Sequence, residues 1–275
     1  MGPTADVGVF GGSGFYSFLD DRISEIREIE LDTPFGLPSD PITIGTVGDK
    51  HVAFIARHGR DHRHMPSKVP ARANLWALRA LGVRTVIGPC AAGSLKSNVH
   101  PGDFVVLDQL VDRTWGRPDT FYDAGIRHHV SFADPYCAVI AAAAADAGRR
   151  VGVAVHERGT VVVVQGPRFS TRAESAWYRA QGWDVINMTQ YPEAYLAREL
   201  GMHYAGIALV TDYDTGVEHD PEVAAVTQDH VFEFFEANLH RMRALLLDLI
   251  PALPAEPSGC ECASAIGPLS PYEIG

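Results

Sequence analysis

The stretch Ala205-Gly206-Ile207-Ala208-Leu209-Val210-Thr211-Asp212-Tyr213-Asp214 limits what this chain can fold into more than any other. Its small and branched apolar residues run unbroken to Val210, so a strand there has no face suited to water. Such a strand belongs to a sheet covered by helices on both sides, the α/β arrangement. The run then stops at two carboxylates, Asp212 and Asp214. Functional groups collect at the carboxyl ends of such strands. Strand period 2 puts both acids on one side if the extended geometry persists. Two acids so crowded raise each other's pKa, which suits proton donation or hydrogen bonding to a basic heterocycle. A polar turn, with one aspartate capping the next segment, is the other reading of these residues.

A length of 275 residues allows one large α/β domain or two small ones, and 46% hydrophobic residues with 26 glycines suit a globular enzyme. Lys+Arg 23 against Asp+Glu 34 gives a net charge of −11, which argues against nucleic acid or an anionic membrane as partner. An anionic substrate must then be drawn by a local cluster of donors. With no apolar signal segment and no membrane-length apolar run, the expectation is a soluble, cytoplasmic protein. Four cysteines, Cys90, Cys137, Cys260 and Cys262, make no disulfide scaffold at this length.

Val7 to Gly11 reads as a strand entering the turn Gly11-Gly12-Ser13-Gly14, where glycines let backbone approach an anion and Ser13 adds a donor. A tight turn is the plain alternative, and the spacing fits a dinucleotide fingerprint poorly. Ile42–Val47 and His51–Ala56 predict a hairpin. The second strand runs into Arg57-His58-Gly59-Arg60-Asp61-His62-Arg63-His64, the most concentrated basic patch of an acidic chain. Arg57 and His58 abut a buried strand, where a guanidinium can clamp an oxyanion, so anion binding is favoured over a solvated loop. Pro70 to Leu81 predicts a helix, Arg84 to Gly88 a strand followed by small residues through Leu95, and Asp103 to Leu107 another strand. Gly116 to His129 reads as a long polar loop, of the kind that is functional or sits at an interface.

Asp134-Pro135 predicts a helix start, Gly152 to Val164 two strands, and Thr171 with Glu174 a capping box opening the next helix. Asp184 to Asn187 is a short strand; Thr189 and Glu193 fit the start of the helix that follows, and Met188 fits core filling. A final amphipathic helix spans 226–249, with Val231, Phe235, Leu239, Met242, Leu246 and Leu249 on one stripe. The expected division is a domain over 1–251 and a Pro/Gly/Ser-rich, poorly ordered tail over 252–275. The tail's Cys260-Glu261-Cys262 supplies too few ligands for a structural zinc site, leaving a redox pair or plain thiols.

The segments Gly11-Gly12-Ser13-Gly14, Ala56-Arg57-His58-Gly59-Arg60, Met65-Pro66-Ser67-Lys68-Val69, Gln165-Gly166-Pro167-Arg168-Phe169-Ser170, Asn187-Met188-Thr189 and Thr211-Asp212-Tyr213-Asp214 stand in order along the chain. Together they resemble the S-methyl-5′-thioadenosine phosphorylases of the purine nucleoside phosphorylase superfamily, from Val7 to Pro251. The resemblance implies a single α/β domain with a mixed, partly barrel-like central sheet flanked by helices, assembled as a trimer or hexamer. It implies phosphate-dependent cleavage of methylthioadenosine to adenine and 5-methylthioribose 1-phosphate, with phosphate as co-substrate and neither metal nor organic cofactor. By position, it assigns Ser13, Arg57, His58, Ala91 and Thr189 to phosphate, Met188 to the ribose, and Phe169 and Ser170 to the border of the base. Thr211, Asp212 and Asp214 fall at the purine, with Asp212 at N7 and Asp214 at the 6-amino group. Val231 falls at the apolar 5′ end, and His129 resembles a histidine that reaches a neighbouring subunit's pocket. Cys90 departs from the threonine or asparagine common near phosphate in this family. Six-oxopurine members commonly carry asparagine in place of Asp212, so 6-aminopurines are expected. The rivals are a purine nucleoside phosphorylase acting on adenosine or on inosine and guanosine, a hydrolytic nucleosidase, and a non-catalytic nucleoside-binding protein.

Overall fold

The computed structural model describes residues 5–11, 23–123, 128–216 and 225–265. Its strands are β1 (Val7–Gly11), β2 (Ser24–Ile29), β3 (Ile42–Val47), β4 (Lys50–Ala56), β5 (Thr85–Ser94), β6 (Phe104–Val106), β7 (Gln109–Arg113), β8 (Val155–His156), β9 (Thr160–Val164), β10 (Val185–Asn187) and β11 (His203–Asp212). The helices are α1 (Ala71–Ala80), α2 (Ala138–Arg150), α3 (Arg172–Ala180), α4 (Gln190–Glu199) and α5 (Gln228–Ala252). All the strands join one mixed sheet, making a single α/β domain.

Every residue of β11 is buried, as its apolar run requires. Alternation sorts its side chains between two cores: Tyr204, Ala208 and Val210 pack with α1 and α4, while Ala205, Ile207 and Leu209 pack with α2 and α5. The stripe on α5 continues the second core, with Phe235, Leu239, Met242, Leu246 and Leu249 all buried. Thr171 accepts from the Glu174 N–H and the Glu174 carboxylate accepts from the Thr171 N–H, closing the expected capping box of α3.

Two expectations shift. The Asp134-Pro135 start gives way to a helix beginning at Ala138, because the Cys137 N–H donates to Tyr204 O at 2.8 Å and holds that segment beside β11. The chain beyond α5 is not loose through 265: Leu253 and Cys262 join the second core, with Cys262 only 2% exposed. Among the described residues no helix is long and apolar enough to cross a membrane.

The feature that makes room for a site is a change of partner along β5. One edge pairs with β11 in parallel from Thr85 to Gly93. The other pairs with β1 only through Ile87, then with β10 from Gly93 onward. Between these two partners, among the described residues, Gly88 to Ala92 carry no strand neighbour on that edge. A crevice opens there, as at the switch points of open α/β sheets.

Candidate active site

The crevice is a cavity of about 380 Å³ lined by Cys90, Ala91, Ala92 and Gly93 of β5 and by residues from β9, β10, β11 and α5 and the loops beside them. Of the residues singled out in the sequence, Arg57, His58, Ala91, Phe169, Ser170, Met188, Thr189, Thr211, Asp212, Asp214 and Val231 all line it. Ser13 lies outside the described residues. His129 is exposed and does not line this cavity.

At one end, Arg57 is 2% exposed and is fixed on three sides. Its Nε and Nη2 donate to the Glu193 carboxylate at 2.6 and 3.0 Å, and Nη1 donates to Pro89 O at 2.9 Å. Tyr204 Oη adds a third hydrogen bond to Glu193 at 2.7 Å, and the guanidinium lies over the Phe10 ring. Burial works against the Arg57 charge, but the Glu193 carboxylate outweighs it and raises the pKa further. A guanidinium has five N–H donors, so two remain unused among the described residues. His58 is held down at about 4 by burial and by Arg57, hence neutral near pH 7. Its Nδ1 sits 2.8 Å from His64 O and donates there, which leaves Nε2 as an acceptor.

The basic patch is less concentrated here than in the sequence. Arg60 turns to Asp40 and Glu28, and Arg63 to Asp61 and Ser39 O. Only Arg57 among the three arginines lines the cavity, joined by His58, His62 and His64. His62 stacks on Phe232, bringing this loop against the first turns of α5.

At the other end stand the two aspartates, brought together by a route different from strand alternation. β11 carries a bulge between Val210, opposite Ala92, and Asp212, opposite Gly93. Bulges re-aim side chains. The strand ends at Asp212, and Asp214 sits in a turn at φ 55°. Its N–H donates to Asp212 Oδ1 at 2.7 Å, while Thr211 Oγ1 donates to Asp212 Oδ2 at 2.7 Å. Gly93 makes this close approach possible, since a Cβ there would lie 2.9 Å from Asp212 Oδ1 and 3.3 Å from the Asp214 Cβ. Burial raises the pKa of both acids, and Asp212 adds its charge to the effect on Asp214. Asp214 Oδ2, Ser170 Oγ and both polar atoms of the Asn187 side chain are buried without a hydrogen-bond partner among the described residues. These residues line the cavity, where a ligand could complete their hydrogen bonding.

Two polar hubs went unrecognised in the sequence. Glu193, expected only as part of a helix start, is the carboxylate that holds Arg57. Arg117, inside the long polar loop, is 8% exposed and donates to the carbonyls of Met188, Tyr191, Val164 and Gln165. It fixes the turn that presents Met188. Gly166 (φ 61°) passes so near that a Cβ would lie 2.4 Å from the Met188 sulfur. No local pattern marks either hub, although an arginine in a loop with Pro118, Asp119 and Asp123 was a faint signal.

Known proteins resemble this chain over its whole length. It is 52% identical to an S-methyl-5′-thioadenosine phosphorylase of Mycolicibacterium smegmatis, covering 98% of this chain and 99% of that one. It is 48% identical to a purine nucleoside phosphorylase of Streptomyces coelicolor, covering 97% and 96%. The crystal structure of a methylthioadenosine phosphorylase from an antarctic soil metagenomic library superposes with a TM-score of 0.88 at 37% identity, covering 96% and 91%. The profile of the phosphorylase superfamily matches residues 6–251, and with a partner-switching β5, an anchored arginine and a buried acid pair in one cavity, the chain belongs to that superfamily.

Proposed function

We propose that this protein cleaves the N-glycosidic bond of S-methyl-5′-thioadenosine with inorganic phosphate, releasing adenine and 5-methylthioribose 1-phosphate. The observation that carries the reading is one cavity with a cation at one end and a protonatable acid pair at the other. Arg57 is anchored beside Pro89 and Asp212 beside Gly93. Four residues of strand separate them, roughly 13 Å at about 3.3 Å per residue. That span accommodates a purine, a pentose and a phosphate in line.

Breaking the bond leaves negative charge on the purine and an oxocarbenium-like sugar. In this proposal Asp212, whose pKa burial raises, donates a proton toward N7 of the leaving base. Asp214 Oδ2, without a hydrogen-bond partner among the described residues, accepts from the 6-amino group. Arg57, His58, Ala91, Thr189 and Ser13 hold phosphate against the opposite face of the anomeric carbon, where its charge favours the cation and its oxygen captures it. Met188 lies under the ribose, Phe169, Ser170 and Thr211 border the base, and Val231 faces the methylthio group. The reaction needs no organic cofactor. A cytoplasmic trimer or hexamer belongs to the same proposal, with exposed His129 serving the pocket of a neighbouring subunit.

The relative named as a purine nucleoside phosphorylase favours one other reading, in which adenosine or a 6-oxopurine nucleoside is the substrate. Following base release from methylthioadenosine, adenosine and inosine, with and without phosphate, separates them. Phosphate-dependent release of adenine, fastest from methylthioadenosine, is expected. Equal rates without phosphate would refute phosphorolysis, and faster turnover of inosine would refute the aminopurine assignment.

A further inference from the structure

At the far end of β11 from the acid pair, four side chains from three distant parts of the chain converge. His203 is the first residue of β11, Cys137 precedes α2, and Cys260 and Cys262 lie beyond α5. Their ligand atoms all lie within 4.8 Å of one another. Cys137 Sγ is 3.7 Å from Cys260 Sγ and 3.5 Å from His203 Nδ1, and Cys260 Sγ is 3.2 Å from the same nitrogen. Cys137, His203 and Cys262 are buried and Cys260 is half-buried. None of the cysteines is in a disulfide.

We infer that Cys137, His203, Cys260 and Cys262 form a Cys3His site for a structural zinc ion that ties the C-terminal segment to the sheet. Tetrahedral zinc, with Zn–S of about 2.3 Å and Zn–N of about 2.0 Å, requires sulfur–sulfur edges of about 3.8 Å and sulfur–nitrogen edges of about 3.6 Å. The separations among Cys137, Cys260 and His203 are close to those edges, and Cys262 lies within 4.8 Å of each of the three. The set is also one of the ligand combinations of closed structural zinc sites. Three thiolates around a dication leave one net negative charge. Two features of the surroundings suit it: Cys137 is the N-cap of α2, where the helix dipole favours an anion, and the Arg198 guanidinium acts on Cys262 from α4. The Cys137 N–H, bonded to Tyr204 O, fixes this thiol beside His203 before any ion binds.

The C-x-C pair alone lacked two ligands; folding supplies Cys137 and His203. Nine residues of strand, roughly 30 Å at about 3.3 Å each, separate His203 from Asp212, so the ion takes no part in the reaction.

The test titrates Co2+ and Zn2+ into the full chain after chelation under reducing conditions, and follows thermal unfolding with and without Zn2+. Cobalt should bind at one ion per chain with thiolate-to-cobalt charge transfer and the intense visible bands of a four-coordinate ion. Zn2+ should displace it and raise the melting midpoint. Cys260→Ser, the least buried ligand, should weaken cobalt binding by at least ~100-fold, beyond what changes around a metal's ligands produce. Cys90→Ser, remote from the cluster, should leave it unchanged. Cobalt spectra without thiolate charge transfer, an unmoved melting midpoint, or a disulfide among the three cysteines in zinc-replete protein would each overturn the assignment.

Discussion

Replacing Glu193 by glutamine tests the architecture of the anion end, because it keeps the side chain's shape while removing its charge. Arg57 and Glu193 are each about 2% exposed in their side chains, so neither has solvent to fall back on. In the parent, the two carboxylate oxygens accept from Arg57 Nε, Arg57 Nη2 and Tyr204 Oη. A glutamine in either orientation sets its amide N–H against one of the guanidinium donors, and the buried cation loses its counterion. Removing one partner of a buried ion pair costs about 3–5 kcal/mol, a large share of a total stability of about 5–15 kcal/mol. Tyr204→Phe removes a single hydrogen bond to a charged group and should cost less, about 1.5–3 kcal/mol. Urea unfolding at fixed protein concentration measures both. The functional readout is the KM for phosphate, expected to rise at least ~tenfold in Glu193→Gln, equivalent to about 1.4 kcal/mol, because the guanidinium is no longer held. Adenine affinity should not change. A variant within ~1 kcal/mol of the parent, below the range for breaking a buried pair, refutes the reasoning, as does a nucleoside KM that rises while the phosphate KM stays fixed.

Burial raises the pKa of Asp212 and Asp214, so kcat/KM for methylthioadenosine should fall as pH rises through the raised values; Asp212→Asn should lower turnover by ~10²-fold or more and flatten that limb. The stability sign agrees: a carboxyl raised in the folded state contributes fully below its unfolded pKa and loses that contribution as pH rises through the folded value. An unaltered pH profile in a folded Asp212→Asn variant returns Asp212 to a structural role. Gly93→Ala places a Cβ 2.9 Å from Asp212 Oδ1 and 3.1 Å from Ile186 Cγ2. Overpacking of about 1–3 kcal/mol should displace the acid pair and weaken adenine binding in calorimetric titration without changing the KM for phosphate; undiminished adenine affinity would contradict it.

The sequence carried the layers of this fold because burial on both faces leaves a continuous apolar run. β11 and the stripe on α5 were legible for that reason, and the capping box of α3 because its bonds span three residues. The acid pair was legible as a pair, but its geometry was not. Asp214 approaches Asp212 through a bulge and a residue at positive φ, neither of which has a sequence mark at Thr211-Asp212-Tyr213-Asp214. The basic patch misled because composition cannot say which carboxylates a loop will meet; Asp40 and Glu28 reach Arg60 from 20 and 32 positions away. Glu193 is 136 positions from Arg57 and Cys260 123 positions from Cys137. Partners that distant have no local signature, and only the folded chain brings them together.

The arginine's prior engagement bears on how such a site divides its attraction between substrate and transition state. Arg57 with Glu193 is close to a neutral pair, so the anion end is not a deep well for phosphate in an otherwise acidic protein. On the proposed assignment, phosphate meets two remaining guanidinium donors, a neutral His58, the Thr189 hydroxyl and the open edge of β5. These donors orient it without neutralising it. Its uncompensated charge then has one strong partner in the cavity, the positive charge that develops on the sugar as the base departs. At the other end, on the same assignment, an acid whose pKa burial raises meets a base whose negative charge also appears only as the bond breaks. Both interactions are stronger in the transition state than with bound substrate, which is the condition for raising kcat rather than merely tightening binding.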